Sequence, residues 1–345
     1  MFLNTKLIFL SLLLLMALNA VAGDSFGVGQ KDFTFRDSLR GRVLAAHVWY
    51  PIDSKTKLES ASRKGDFFLP VLAAKGAALV KAPQQFPLVL LSHGSGGKAD
   101  KLFWIADYLV RNGNVVLAVD HPGNMTGDNS ADGLMRVWDR PKDLSFALDE
   151  LLKRPDFKQR LDLSKVAAVG HSAGGTTVLL LAGGRMSYDL FQSPVPDCVG
   201  TKDPYLAITC EQMKALDLKA YPKKFVEADY TDRRIRAIVA LDPGFVRSFQ
   251  RETLAHLNAK PYLFLAEKLN APQDEIHSKE FLSIFPATSV EVVPHAFHMT
   301  FLVACKPDFP ADDPELKELC INNDEKLKIQ REVAQKTLTF FKNAW

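Results

Sequence analysis

One hydroxyl, one imidazole and one carboxylate, far apart along a chain of 345 residues, are spaced as acyl-transfer chemistry would require. The hydroxyl belongs to Ser172 in "VAAVGHSAGGTTVLLL" (166–181), where a β-branched apolar run ends at Gly170 and a second follows Gly174 and Gly175. Gly-x-Ser-x-Gly between a strand and a helix is the pattern of a nucleophile elbow, a sharp turn that lifts the serine oxygen clear of the backbone. Gly170 and Gly174 leave room where any side chain would crowd the strand against the helix. Ala173 opens the helix, so its N–H and the positive end of the helix dipole face the place where an oxyanion would form.

A second amide donor is expected from "LLSHGSGG" (90–97), a glycine-rich turn after an earlier strand, with Ser95 N–H as the candidate; without that role the segment is a plain turn. His93 in the same turn reads as a structural hydrogen-bonder. Elbow hydrolases order their residues serine, acid, histidine, so the base is sought late in the chain. "VEVVPHAFHMTFL" (290–302) offers His295 and His298. The apolar run after His298 could lock its ring, which favours it over His295. His47, His121, His171, His256 and His277 read as structural or surface residues. For the acid, "IVALDPGF" (238–245) ends a buried strand with Asp242, which otherwise would cap the turn at Pro243-Gly244. The more usual position, one strand later in "AEKLNAPQD" (266–274), reads Asn270, with Glu267 and Asp274 as second choices.

These residues need a scaffold, and the chain supplies an alternating one. "FTFRDSLRGRVLAAHVWYP" (33–51) predicts a hairpin, and 53–66 a loop. Strands are expected at 87–92, 114–120, 165–170, 234–242, 261–267 and 289–294, with helices at 101–113, 140–153, from Ala173, and near 324–343. Apolar strands alternating with amphipathic helices imply a mainly parallel sheet covered on both faces. Residues 185–232 break the rhythm with four prolines and two cysteines, and read as a cap-like insertion over the sheet.

Composition bounds the rest. The chain is 24% charged and 47% hydrophobic with net charge +3, and Arg233, Arg234 and Arg236 read as a solvated strand entry, so nothing asks for a nucleic-acid partner. "MFLNTKLIFLSLLLLMALNAVAG" has a positive start at Lys6, an apolar stretch and a small-residue site, so residues 1–22 read as a secretory signal and 23–345 as one mature domain; an uncleaved anchor helix is the competing reading. Export would make disulfides of the four cysteines, with sequence proximity favouring Cys198–Cys210 and Cys305–Cys320. Their spacing matches no zinc pattern.

The segments "PLVLLSHGSGG", "VVLAVDHPGN", "RPKDLSFALDELL", "VAAVGHSAGG", "ALDPGF" and "HMTFLVAC" together resemble the α/β-hydrolase family. Within it the chain is similar to a bacterial group of dienelactone-hydrolase-like proteins and to the platelet-activating-factor acetylhydrolases. "DHPGN" and "RPKDLSF" are the distinctive pieces, since the serine motif is shared by all such hydrolases. The resemblance implies an α/β-hydrolase fold, a triad at Ser172, Asp242 and His298, and oxyanion amides at Ser95 and Ala173. True dienelactone hydrolases carry a cysteine nucleophile, so a dienelactone substrate does not follow. The 185–232 insertion lengthens the Ser172–Asp242 separation beyond that of the acetylhydrolases, so their pocket does not transfer either.

The expectation is a secreted or periplasmic serine hydrolase of small-molecule or lipid carboxylic esters, needing no metal or organic cofactor. The loops at 124–138 and the insertion would select substrate. A lipase- or phospholipase-type hydrolase, an acyltransferase or a peptidase would use the same apparatus. A metal hydrolase built on His93, His121 and His298 lacks an HExxH-type pair. A non-catalytic exported binding protein would leave the ordered triad to coincidence.

Overall fold

The chain enters through an antiparallel hairpin, β1 (Gly27–Asp37) and β2 (Arg42–Ile52), which begins six residues before the expected start. The computed structural model describes residues 26–60, 67–192, 216–268, 280–309, 319–320 and 323–345. Two short strands, β3 (Glu59–Ser60) and β4 (Leu72–Lys75), extend the sheet edge beyond β1. Neither was expected: both are short, and Glu, Lys and Ala have weak strand preference, so partner pairing rather than local sequence makes them strands.

From β5 (Phe86–Ser92) onward the sheet is parallel. Its partners are β6 (Val115–Asp120), β9 (Leu161–His171), β10 (Ile235–Leu241), β11 (Lys260–Ala266) and β12 (Val290–Val293). A small antiparallel pair, β7 (Asn124–Met125) and β8 (Asp128–Asn129), follows β6. The order across the large sheet is β12-β11-β10-β9-β5-β6-β2-β1-β4-β3. From β5 the chain steps to β6 on one side and then returns to β9 on the other. Crevices at the carboxyl ends of strands open at such reversals.

Helix α1 spans Phe103–Arg111, and a short helix, α2, spans Ala131–Met135 and buries Leu134 and Met135 in the core. The period-two alternation of the strands sorts their side chains between two cores. Leu88, Leu90, Val115, Leu117, Val166 and Ala168 face the layer made by α3 (Asp139–Leu152) and α4 (Ala173–Leu181). Val89, Leu91, Val116, Ala118, Ala167 and Val169 face α1 and α5 (Asn323–Ala344). In α5, Ile329, Val333, Thr337 and Phe341 recur every four residues and are buried, as one helix face requires. Helix α4 is buried all round, consistent with a sequence that carries no charge and whose two threonine hydroxyls are hydrogen-bonded to backbone carbonyls.

Cys305 and Cys320, 15 positions apart, form a disulfide. Cys198 and Cys210 lie outside the described residues, as do the leader segment and Asn270, Asp274 and His277. Of the insertion, residues 185–192 and 216–232 are described; Phe191 and Tyr221 pack on Trp138, and the Tyr221 hydroxyl donates to Asp132 Oδ1 at 2.9 Å. Among the described residues, no helix is long and apolar enough to cross a membrane.

Two features of this scaffold have measurable consequences. A Cβ on Gly174 would lie 2.0 Å from the Ser92 carbonyl oxygen, whereas one on Gly244 would have its nearest neighbour at 3.8 Å. Gly174→Ala is therefore expected to cost about 3 kcal/mol, with Gly244→Ala close to wild type, as read from urea unfolding midpoints. On β2, His47 places Nδ1 2.8 Å from Asp32 Oδ1 and Nε2 3.6 Å from Asp120 Oδ2. Burial pushes its pKa down, but the two carboxylates outweigh burial and raise it to about 9. The protonated ring thus stabilises the fold fully below an unfolded pKa of about 6.5, and that contribution is lost as pH rises through about 9. Thermal midpoints of wild type and His47→Gln should converge as pH is raised across this window.

Candidate active site

Ser172 joins β9 to α4 with φ 55° and ψ −121°, a positive φ that costs a non-glycine residue about 1–3 kcal/mol. Its surroundings hold it there. Its N–H donates to the Leu241 carbonyl at 3.0 Å, and its carbonyl accepts from Gly244 N–H at 3.1 Å. The expected steric role of the glycines is met on both sides: a Cβ on Gly170 would lie 2.0 Å from the Gly174 carbonyl oxygen. The strand can thus run straight into the helix with the serine on the outside of the bend.

Asp242 stands just past the end of β10 and also has a positive φ, 43°. Its Oδ1 accepts from Ala266 N–H at 3.0 Å, and its Oδ2 lies 2.6 Å from His298 Nδ1. Burial alone would raise this carboxyl's pKa, but the bond from His298 and the Ala266 amide outweigh it and hold the pKa below the ordinary value. With an ionised carboxylate on Nδ1, that nitrogen carries the proton and Nε2 is the accepting side of the ring.

His298 opens a short turn, His298–Phe301, that is tied down from two helices. Trp104 Nε1 donates to the Phe301 carbonyl at 2.8 Å, and Gln330 Nε2 donates to the Thr300 carbonyl at 2.8 Å. The residue before Ser172 completes the link to the elbow. His171 packs its ring on that of His298, with centroids 4.6 Å apart, and its Nε2 lies 3.1 Å from the His298 carbonyl oxygen. Burial, then the neighbouring His298, push His171 down to about 3, so it is a neutral donor to that carbonyl.

Gly94 brings the turn after β5 against the elbow: a Cβ there would lie 3.2 Å from Ser172 Cβ. Ser95 follows in that turn, and Ala173 is the first residue of α4. The structure therefore brings together the elements bearing Ser172, Asp242, His298, Ser95 and Ala173. His295 is exposed, and its N–H donates to Glu267 Oε2 at 2.7 Å, which engages that carboxylate with a backbone amide.

His93 is the structural hydrogen-bonder the sequence suggested and His121 is structural, but their joining with Asp143, Arg40, Arg42 and Arg140 into one layer behind the site was not foreseen. His93 uses Nδ1 on the Gly94 carbonyl at 2.6 Å and Nε2 as acceptor from His121 N–H at 3.1 Å. His121 bridges Ser92 Oγ and Asp143 Oδ2, each at 3.0 Å. Arg42 and Arg40 close on Asp143 at 2.7 and 2.8 Å. The signal available beforehand was the presence of "DHPGN" and "RPKDLSF" beside otherwise apolar strands. A cavity of about 200 Å³ borders this layer, lined by Arg42, His121, Asn124, Asp139 and Arg140 among others.

A family model described as the alpha/beta hydrolase fold matches residues 87–238, which spans β5 through most of β10. No curated protein matches the chain. Among solved structures it is similar to a ferulic acid esterase from Streptomyces cinnamoneus, at 19% identity and a TM-score of 0.55, covering 94% of this chain and 92% of that one. A dienelactone hydrolase from Anabaena variabilis aligns at 14% identity and a TM-score of 0.46, covering 91% of this chain and 98% of that one. With the parallel sheet order and the strand–turn–helix at Ser172, the family match over 87–238 and the esterase likeness show that the chain has the α/β-hydrolase fold.

Proposed function

We propose that this chain is an exported serine hydrolase that cleaves carboxylic esters through an acyl-enzyme. Ser172 Oγ attacks the ester carbonyl while His298 Nε2 takes its proton. Asp242 holds the imidazole in the accepting tautomer and stabilises the cation that forms. The amides of Ser95 and Ala173 receive the tetrahedral oxyanion, and His298 then protonates the departing alcohol. Water repeats the sequence on the acyl-enzyme and releases the acid.

The observation that carries this reading is the 2.6 Å contact of His298 Nδ1 with Asp242 Oδ2, on a ring packed against that of the residue that precedes Ser172. The strained backbone of Ser172 supports it, because such strain persists where geometry serves a site. Export is supported by the leader pattern of residues 1–22 and by the Cys305–Cys320 disulfide. A single mature domain with 185–232 as a cap is supported by the packing of Phe191 and Tyr221 on Trp138. The ferulic acid esterase likeness makes esters of ferulic acid the first substrates to test.

Ser172→Ala should lower kcat on p-nitrophenyl esters by about 10⁵–10⁶-fold with an unchanged melting temperature; ordinary turnover by this variant would remove the assignment. Asp242→Asn should lower kcat by about 10⁴-fold, and Glu267→Gln should leave it near wild type. The opposite ranking in the same assay would move the acid to Glu267.

A further inference from the structure

The motifs "DHPGN" (120–124) and "RPKDLSF" (140–146) supply none of the reacting groups, yet their polar side chains converge behind the turn that follows β5. Arg140, on α3, is 1% exposed. Its Nη2 donates to the His93 carbonyl, its Nη1 to Asn124 Oδ1 at 2.7 Å and its Nε to Thr177 Oγ1 at 3.2 Å. Thr177 in turn donates its hydroxyl to the Ala173 carbonyl at 2.8 Å. One guanidinium therefore joins the turn after β5, the loop after β6 and the first turn of α4.

The next peptide along is held as firmly. His93 Nε2 accepts from His121 N–H, so the ring proton sits on Nδ1 and is donated to the Gly94 carbonyl. Gly97 N–H donates to the same carbonyl at 3.2 Å. Burial, then the nearby Arg140, hold the His93 pKa well below its ordinary value, which keeps this tautomer in place.

A trans peptide is planar, and its C=O and N–H point in opposite directions. Fixing the His93 carbonyl therefore fixes the direction of Gly94 N–H, and fixing the Gly94 carbonyl fixes that of Ser95 N–H. Both peptides lie where Gly94 meets Ser172, its notional Cβ only 3.2 Å from the serine Cβ. We infer that Arg140 and His93 are positioning residues that aim the amides of the 93–97 turn at the oxyanion formed on Ser172. The inference rests on the proposed function and gives the two distinctive motifs a role in it: they set the direction of a backbone donor that no side-chain motif encodes.

The test compares Arg140→Lys, Asn124→Ala and Thr177→Val with wild type. Arg140→Lys should lower kcat on p-nitrophenyl esters by about 10²-fold with KM little changed. Affinity for an aryl boronic acid, whose tetrahedral adduct on Ser172 carries the oxyanion, should fall by the same factor. Asn124→Ala and Thr177→Val each remove one tie of the guanidinium while leaving it buried; each should lower kcat about tenfold at an unchanged melting temperature. These two decide the matter if Arg140→Lys does not fold. Wild-type kcat and boronate affinity in the folded variants, or a loss confined to KM, would overturn the inference. Fluorophosphonate labelling of wild type, with the labelled peptide sequenced, separates the two levels. No label on Ser172 overturns the proposed function and this inference together, whereas a labelled enzyme indifferent to the substitutions overturns the inference alone.

Discussion

The site depends on a contact between two stretches of bare backbone. Gly174 lies so close to the end of β5 that a methyl group there would overlap the Ser92 carbonyl, and Gly170 meets Gly174 in the same way. Close-packed interiors tolerate little added volume, so only hydrogen at these two positions lets β5, β9 and α4 meet at one point. Because β5 and β9 are neighbours where the strand order reverses, that point is also where a crevice opens. The turn after β5 and the bend at Ser172 thus face one another as a result of the sheet's topology, before any side chain is considered.

Around that contact, charge is handled in two ways. Behind the turn after β5 it is paired and shut in: Asp143 is fully buried and receives Arg40, Arg42 and His121, and burial and Arg140 push His121 down to about 4. A buried network of this kind is costly unless each member is satisfied, and once satisfied it fixes geometry. At Asp242 and His298 the pair is only partly covered, and both side chains keep some exposure. Rigidity is supplied by the first arrangement; the proposed mechanism draws its proton transfer from the second.

Much of this was legible in the sequence. The parallel strands and the four long helices could be read from apolar periodicity, and Ser172 from glycine spacing, because both are local properties of the chain. Asp242 and His298 were legible as choices, from their position after a buried strand and beside an apolar run. In space the two histidines differ through long-range contacts: Asp242 and the tilted ring of His171 meet His298, while the backbone amide of His295 donates to Glu267. Strands β3 and β4 escaped because pairing across the sheet edge, rather than their own residues, creates them. His93 and His121 were legible as structural residues, but the layer they form with Arg140 escaped for a related reason. Each residue alone reads as an ordinary polar side chain, and only the fold brings "SHGSGG", "DHPGN" and "RPKDLSF" to one place.

The turn carrying His298 is held by Gln330, whose amide reaches the carbonyls of both Thr300 and Leu302 from helix α5. That helix, Asn323–Ala344, follows every other element in chain order, and it also fills one face of the sheet with Val333, Leu338 and Phe341. A growing polypeptide therefore has its serine, its carboxylate and its imidazole before it has the clasp that fixes the imidazole. Under the proposed function, ester cleavage would await the synthesis and docking of this helix, and a copy cut short ahead of it would carry the reacting groups without their alignment.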